Sequence, residues 1–140
     1  MLVFGSDHGG LLLKQELVAY ATQKGIDFQD VGTFSEESVD YPDIAKNVCK
    51  SLKEGDLGVL VCGTGIGISI AANKIKGIRA ALCHNEYCAS MAREHNDANV
   101  LCLGGRVIGV ETAKAILNAF LESEFSGGRH AVRVAKIEEE

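Results

Sequence analysis

Short apolar segments alternate with longer segments of helical periodicity along the whole chain. Apolar, β-branched runs are typical of strands buried in a parallel sheet, and apolar positions that recur every three or four residues are typical of amphipathic helices. The predicted strands are Leu2 to Gly5, Asp27 to Val31, Leu57 to Val61, Ile78 to Leu82 and Val100 to Leu103. The predicted helices are Leu11 to Lys24, one that starts at Tyr41, Ile68 to Lys74, Glu86 to Glu94, and Val110 to Glu122.

Helix-boundary signals support this division. Gly25 stands where a glycine commonly ends a helix, and Asp40 stands where a side chain can cap the helix that begins at Tyr41, with Pro42 in its first turn. Strands separated by helices imply crossover connections and a parallel sheet covered on both faces. The pattern therefore predicts one α/β domain over residues 1–140, a three-layer α/β/α sandwich, but it does not give the strand order.

Composition narrows the class of protein. The 140 residues carry a formal charge of −5, which argues against a nucleic-acid or anionic-membrane surface. The chain contains five cysteines, and none belongs to a Cys-x-x-Cys pair, which is typical of free thiols in a reducing cytoplasm. No apolar run approaches the length of a membrane span, and the start lacks a basic, signal-like segment. Because there are 16 glycines and one proline, the glycines are expected in specific turns.

Polar, glycine and reactive residues follow four of the predicted strands. In an open parallel sheet, ligands bind at the carboxyl ends of the strands. These segments are therefore expected at one edge: Ser6 to Gly10, Cys62 to Gly67, Cys83 to Asn85, and Gly104 to Arg106.

Cys62 is the strongest nucleophile or base candidate among the thiols. It ends a strand and precedes a glycine loop that opens a helix, where backbone N–H groups and the helix dipole stabilise a thiolate. The alternative is a small buried apolar side chain, the usual role of a free cysteine, and this is the interpretation of Cys49, Cys88 and Cys102. Cys83 follows a strand but has no glycine loop after it, so it is a weaker candidate than Cys62 and a stronger one than the other three cysteines.

The loop from Gly63 to Gly67 brings backbone close to a ligand and directs N–H donors at an anion. Its Gly-x-Gly-x-Gly spacing follows the third strand and differs from the dinucleotide fingerprint, although Glu86 lies at a distance that suits a ribose-binding acid. No Gly-Lys-Ser/Thr follows, so it is not a P-loop. A tight strand-to-helix turn alone would also explain the glycines.

Three further side chains, those of Asp7, His8 and His95, have both a functional and a structural interpretation. Asp7 fits a helix cap, but His8 beside it and two glycines favour a pair that faces a ligand. His95, followed by Asn96, ends a helix, where histidine often contacts the last carbonyls, and His84 has no clear partner.

Three of the five arginines suggest a bound anion. Arg106 and Arg129 each follow a Gly-Gly pair, and Arg133 lies one helical turn after Arg129, with His130 adjacent. A solvated basic patch is the alternative, but a local arginine cluster in an acidic protein favours a phosphate monoester. No pair of side chains has a recognised metal-ligand spacing, so no metal is expected.

A thiolate, loop N–H donors, histidines and a phosphate clamp suit proton abstraction next to the carbonyl of a phosphorylated substrate. Six segments then closely resemble the type B ribose-5-phosphate isomerase family, which includes allose-6-phosphate and galactose-6-phosphate isomerases. They are Ser6–Gly10, Asp40–Pro42, Cys62–Lys74, Gly77–Ala80, Arg93–Asn99 and Gly127–His130.

The resemblance implies a five-stranded parallel Rossmann-like sheet, a homodimer or homotetramer with sites at subunit interfaces, and cofactor-free aldose–ketose isomerisation through an enediolate. It implies Cys62 as the base that moves the proton between carbons, and His95 as the ring-opening acid/base. It implies that Asp7 and His8 bind the substrate, and that the loop backbone holds the enediolate oxygens through Gly63, Thr64, Gly65, Ile66 and Gly67. Asn96 and Arg106 are expected to contribute across the subunit interface. Arg129 and Arg133 are expected to bind the phosphate.

One position departs from part of the family. Some members have serine in place of the cysteine and a glutamate where this chain has Ile66, so the chain resembles the cysteine-dependent type. Cys62, His95 and Arg129 occur together in one chain, unlike the divided sites of galactose-6-phosphate isomerase subunits. The expected activity is the interconversion of ribose 5-phosphate and ribulose 5-phosphate. A six-carbon aldose phosphate is the alternative substrate, and a non-catalytic phosphate-binding module is the alternative class.

Overall fold

The computed structural model describes residues 1–139 and contains one sheet of five parallel strands. The strand order is β2-β1-β3-β5-β4. Ser6 lies opposite Val61, and Cys62 lies opposite Gly104, so the carboxyl ends of β1, β3 and β5 meet at the same edge. The strands are β1 (Leu2–Ser6), β2 (Phe28–Asp30), β3 (Leu57–Cys62), β4 (Ala80–Leu82) and β5 (Val100–Gly104).

Helices cover both faces of the sheet. They are α1 (Leu11–Lys24), α2 (Tyr41–Ser51), α3 (Ile66–Asn73), α4 (Glu86–Asn96), α5 (Val110–Glu122) and α6 (Arg129–Ile137), and a short 3₁₀ turn, His8–Gly10, precedes α1. One core cluster lies between the sheet and α1, α4 and α5, and a second lies between the opposite face and α2 and α3. The alternating side chains of β3 divide between them: Val59 and Val61 face the first, and Leu60 and Cys62 face the second. The predicted three-layer α/β/α sandwich is confirmed.

Several boundaries differ from the sequence predictions. β4 begins two residues later than expected because Ile78 instead closes a turn by donating its N–H to the Ile75 carbonyl. α3 begins at Ile66 rather than Ile68. Gly25 ends α1 in the left-handed region, at φ 69°, as predicted. Asp40 occupies the cap position of α2, but its side chain makes no capping hydrogen bond.

The carboxyl-terminal segment forms a further helix, α6, which is not among the predicted helices. Apolar core patterning could not reveal it, because α6 has no buried residue and contacts only α4 closely. Glu140, the last residue of the predicted domain, lies outside the described residues. No helix within residues 1–139 combines the length and apolar character needed to span a bilayer.

Candidate active site

Asp7 caps the turn that follows β1. Its Oδ1 accepts hydrogen bonds from the N–H groups of Gly9 at 2.9 Å and Gly10 at 3.1 Å, so the capping role considered from the sequence is confirmed. A Cβ on Gly10 would lie 2.4 Å from the Val61 carbonyl oxygen, so only glycine lets this turn approach β3. Asp7 Oδ2 accepts no hydrogen bond within residues 1–139, so it is available to a ligand.

His8 is held by the backbone of a distant segment. Its Nδ1 accepts a hydrogen bond from the Val39 N–H at 3.3 Å, and the ring is half-buried. A neutral imidazole with Nδ1 as acceptor carries its proton on Nε2. The free edge of the ring is therefore a donor.

Cys62 lies at the end of β3 and is 5% exposed. Its Sγ accepts a hydrogen bond from the Gly65 N–H at 3.1 Å, directly before the start of α3. Gly65 has φ 80°, and a Cβ there would lie 2.6 Å from Leu82 Cδ1 and 2.8 Å from the Leu103 carbonyl carbon. This glycine thus supplies both the sharp turn and a hydrogen-bond donor to the Cys62 sulfur.

The backbone N–H groups of the loop fall into two sets: those that donate a hydrogen bond within the described residues and those that do not. The Gly65 N–H binds Cys62, and the Ile66 N–H donates to Thr64 Oγ1 at 3.2 Å. The N–H groups of Gly63, Thr64 and Gly67 have no acceptor in the part of the chain that the structure describes. Three donors beside the thiol are therefore available to an anionic oxygen.

Arg106 joins the same edge. The backbone N–H of Arg106 donates to the Gly63 carbonyl at 2.9 Å, and the backbone N–H of Gly105 donates to the Cys62 carbonyl at 2.8 Å. A Cβ on Gly63 would lie 3.1 Å from Arg106 Nη1, so the guanidinium lies over the loop. We call this group, at the carboxyl ends of three adjacent strands, the thiol cluster: Asp7, His8, Cys62, the Gly63–Gly67 loop and Arg106.

The other predicted site residues form a second group, the imidazole–arginine cluster: His95, Asn96, Arg129 and Arg133. His95 and His130 stack with ring centroids 4.1 Å apart and an interplanar angle of 9°, which joins the end of α4 to the start of α6. Desolvation and the nearby charges of His95, Arg129 and Arg133 lower the pKa of His130. This electropositive surface suits a phosphate.

The two clusters lie apart within one chain. His95 and Asn96 end α4 just before β5 starts at Val100, whereas Cys62 pairs with Gly104 at the far end of β5. Four residue steps along a strand span roughly 13 Å. α4 also packs on the face opposite to Cys62. A single chain therefore does not assemble the complete predicted site, and Arg106 lies with Cys62 rather than with Asn96.

Two groups that support these clusters, the Val39 N–H and Arg79, were not predicted from the sequence. The Val39 N–H is a backbone group in a polar loop, and no residue type marks it. Arg79 supports the end of α4, since its Nε donates to the carbonyls of Asn96 and Asp97 and its Nη1 pairs at 2.6 Å with Glu138, directly after α6. Arg79 lies in the segment Gly77–Ala80 that resembles the family, but neither that resemblance nor its charge before a short apolar strand indicated this role.

His84 is exposed in the turn between β4 and α4. Within residues 1–139, no group of three or more His, Cys, Asp or Glu side chains is placed to hold a metal ion.

The other cysteines are free, and three of them are buried. Burial raises the pKa of Cys49 and of Cys83 to about 11, and it also raises the pKa of Cys102 well above its ordinary value. These three thiols therefore stay protonated at neutral pH, whereas Cys88 is exposed. The interpretation of Cys49 and Cys102 as core side chains agrees with their positions. The same interpretation of Cys88 is wrong, because Cys88 lies on an exposed part of α4.

The raised pKa values predict an alkaline loss of stability. The folded state retains thiol protons that the unfolded chain releases above about pH 9, so the stabilisation is complete below that pH and is lost as pH rises towards 11. Each cysteine contributes at most about 1.4 kcal/mol per pH unit to this decline. Urea unfolding across this range is expected to show a falling free energy of unfolding, with a shallower slope in Cys49→Ala. An unchanged slope in that variant would contradict the assignment.

Fold and site together define an α/β domain with a thiol and unused N–H donors at one strand edge and an arginine-rich surface on a separate helix pair. Residues 2–137 match the family model described as Ribose/Galactose Isomerase. The chain is 49% identical to ribose-5-phosphate isomerase B of Escherichia coli, over 97% of this chain and 93% of that protein. It is also 45% identical to D-erythrulose-4-phosphate isomerase of Pectobacterium atrosepticum, over 97% and 91%.

The fold matches solved structures equally well. A ribose 5-phosphate isomerase of Thermotoga maritima superposes with a TM-score of 0.97 at 52% identity, over 99% of this chain and 97% of that one. The chain belongs to the ribose/galactose isomerase family. It is accordingly an isomerase, which makes a non-catalytic phosphate-binding module untenable.

Proposed function

We propose that the chain interconverts D-ribose 5-phosphate and D-ribulose 5-phosphate through an enediolate, without a cofactor, in the cytoplasm. The observation that carries the proposal is the Cys62 thiol, held at 3.1 Å by the Gly65 N–H beside three unused loop N–H groups. The similarity to ribose-5-phosphate isomerases supports the choice of sugar. Five free cysteines support a reducing compartment.

The reaction follows from these groups. The Cys62 thiolate removes the proton from carbon 2 of the open-chain aldose, and the thiol returns it to carbon 1. Between the two steps the negative charge lies on the enediolate oxygens, where the N–H groups of Gly63, Thr64 and Gly67 stabilise it. The hydroxyl proton moves from oxygen 2 to oxygen 1, so no net proton is consumed. His95 opens the furanose ring by moving a proton between ring and hydroxyl oxygens, and Asp7 and His8 bind sugar hydroxyls.

A second copy of the chain completes the site in this proposal. The imidazole–arginine cluster cannot reach Cys62 of its own chain, and a two-fold axis would place it over Cys62 of a partner while the partner returns the same contact. Ile66 and Ile70 of α3 are 52% and 58% exposed, and Val132 of α6 is 60% exposed. These apolar side chains suit burial in such an interface, with a homotetramer as a higher assembly.

The arginines of α6 are proposed to bind the substrate phosphate. Arg129→Ala and Arg133→Ala are each expected to raise the KM for ribose 5-phosphate by about tenfold or more, with a smaller effect on kcat, because each removes a charge-assisted hydrogen bond. Steady-state kinetics and competition by inorganic phosphate measure this effect. Lys50→Ala, on an exposed face of α2, is the control. A KM equal to that of the control would contradict the clamp.

Turnover on several sugars tests the substrate. A relative that is 45% identical to this chain is named for a four-carbon sugar phosphate, so the number of carbon atoms in the substrate varies within this range of similarity. The kcat/KM for ribose 5-phosphate is to be compared with those for allose 6-phosphate and erythrulose 4-phosphate. A clear preference for either of the latter would replace the proposed substrate while leaving the isomerase chemistry intact.

A further inference from the structure

Lys14 of α1 is a fully buried lysine, with 0% of its surface exposed. Its Nζ donates to Asp30 Oδ1 at 2.8 Å and to the Thr33 carbonyl at 2.5 Å, and it lies 4.8 Å from the centroid of the Phe34 ring. A buried ammonium is costly unless it is paired and hydrogen-bonded. Nothing in the proposed chemistry uses this charge, so its place in the fold needs another explanation.

All three partners of Lys14 belong to β2 or to the connection between β2 and α2, residues 31–40. Asp30 Oδ1 also accepts the Gly32 N–H at 3.0 Å. Next to it, the Gly32 carbonyl accepts the Ser6 N–H and the Thr33 N–H donates to the Ser6 carbonyl, both at 2.8 Å. Lys14 thus fixes the start of the connection against the end of β1, directly before Asp7 and His8.

The other end of the same connection holds the His8 ring, through the Val39 N–H at 3.3 Å from Nδ1. Residues 34–38 between these two attachments are exposed. The Val39 side chain also packs against the second core cluster. The position of its N–H therefore depends on that packing and on how firmly the start of the connection is anchored.

We infer that Lys14 is a positioning residue for His8: by anchoring the connection 31–40, it keeps the Val39 N–H on Nδ1 and so presents Nε2–H to the substrate. The effect on turnover rests on the proposed function, in which His8 binds the sugar. The effect on the histidine ring does not.

The test compares Lys14→Met, which keeps the length of the side chain but removes its charge, with Lys24→Met at the exposed end of the same helix. Imidazole nitrogen NMR shifts report the His8 tautomer, and the chain has only four histidines to assign. We expect one Nε2–H tautomer of His8 in the unaltered protein and in Lys24→Met, and a mixture in Lys14→Met. We also expect kcat/KM to fall by about 10- to 100-fold in Lys14→Met alone.

A Lys14→Met protein that is less stable but keeps the His8 tautomer and kcat/KM of Lys24→Met would overturn the inference, because the role of Lys14 would then be structural only. Val39→Pro removes the donor itself and is expected to give the same mixed tautomer. Because the Val39 side chain also packs against the second core cluster, Val39→Ala, which keeps the N–H, is its control and is expected to keep the single tautomer. An unchanged His8 signal in Val39→Pro would overturn the inference even if Lys14→Met does not fold. Because the tautomer is measured without turnover, failure of the proposed substrate would leave this test valid.

Discussion

Replacing Cys62 by alanine is expected to lower kcat for ribose 5-phosphate isomerisation by about 10²–10⁴-fold, the usual contribution of a positioned acid/base group. KM should change little, because the side chain acts on the proton at carbon and not on the phosphate. Cys62→Ser should be nearly as inactive, since a hydroxyl with the same hydrogen bond from Gly65 stays protonated and Ile66 offers no carboxylate to replace the thiolate.

The matched control is Cys88→Ala, which makes the same replacement at the exposed thiol. Cys88→Ala should keep full activity. Initial-rate assays of Cys62→Ala, Cys62→Ser and Cys88→Ala measure the difference in kcat. If Cys62→Ala retained the turnover of Cys88→Ala, the thiolate could not be the base. Thermal unfolding of the variants would separate a chemical effect from loss of structure.

Mixing two inactive variants is expected to restore activity. Cys62→Ala and His95→Ala each disable every site of a homodimer, but a dimer with one chain of each kind has one site with both residues intact if the site is shared between chains. Random assortment gives about half mixed dimers, each with one of its two sites intact, so about a quarter of the unaltered activity should return.

Coexpression, or refolding of the mixture from urea, forms the mixed dimers, and the activity per subunit is the measurement. The control pairs Cys62→Ala with the Cys62→Ala/His95→Ala double variant, for which no combination yields an intact site. Activity that stays at the level of this control would mean that Cys62 and His95 act within one chain, contrary to the separation of the two clusters.

The sequence predicted the thiol cluster well because local rules determine it. Cys62 and the glycine loop must lie at the end of a buried strand, and adjacent parallel strands bring Asp7 and Arg106 to the same edge. The strand order was not predictable, because neighbouring strands such as β3 and β5 are separated in sequence by another strand and two helices. No local pattern specifies that pairing.

In the second cluster, spacing and charge predicted the arginines as an anion site, whereas the role of His95 followed only from motif resemblance. His95 ends a helix at the opposite end of the sheet, and α6 has no buried side chain to give it a core pattern. The Val39 N–H on His8 and the buried charge of Lys14 were also beyond the sequence, since each depends on a contact between segments at least 16 residues apart. Side-chain type alone does not reveal such partners.

The glycines at the thiol edge constrain how this enzyme can change. A Cβ on Gly10 would lie 2.4 Å from the Val61 carbonyl oxygen, and one on Gly104 would lie 2.5 Å from the Thr64 carbonyl oxygen. Main chain packed against main chain leaves no side chain there to enlarge or trim. Selection for a shorter or longer sugar would therefore have to act on the side chains around these glycines and on the surfaces that face this edge. In a shared site those surfaces belong to the neighbouring subunit, so substrate range and assembly would evolve together.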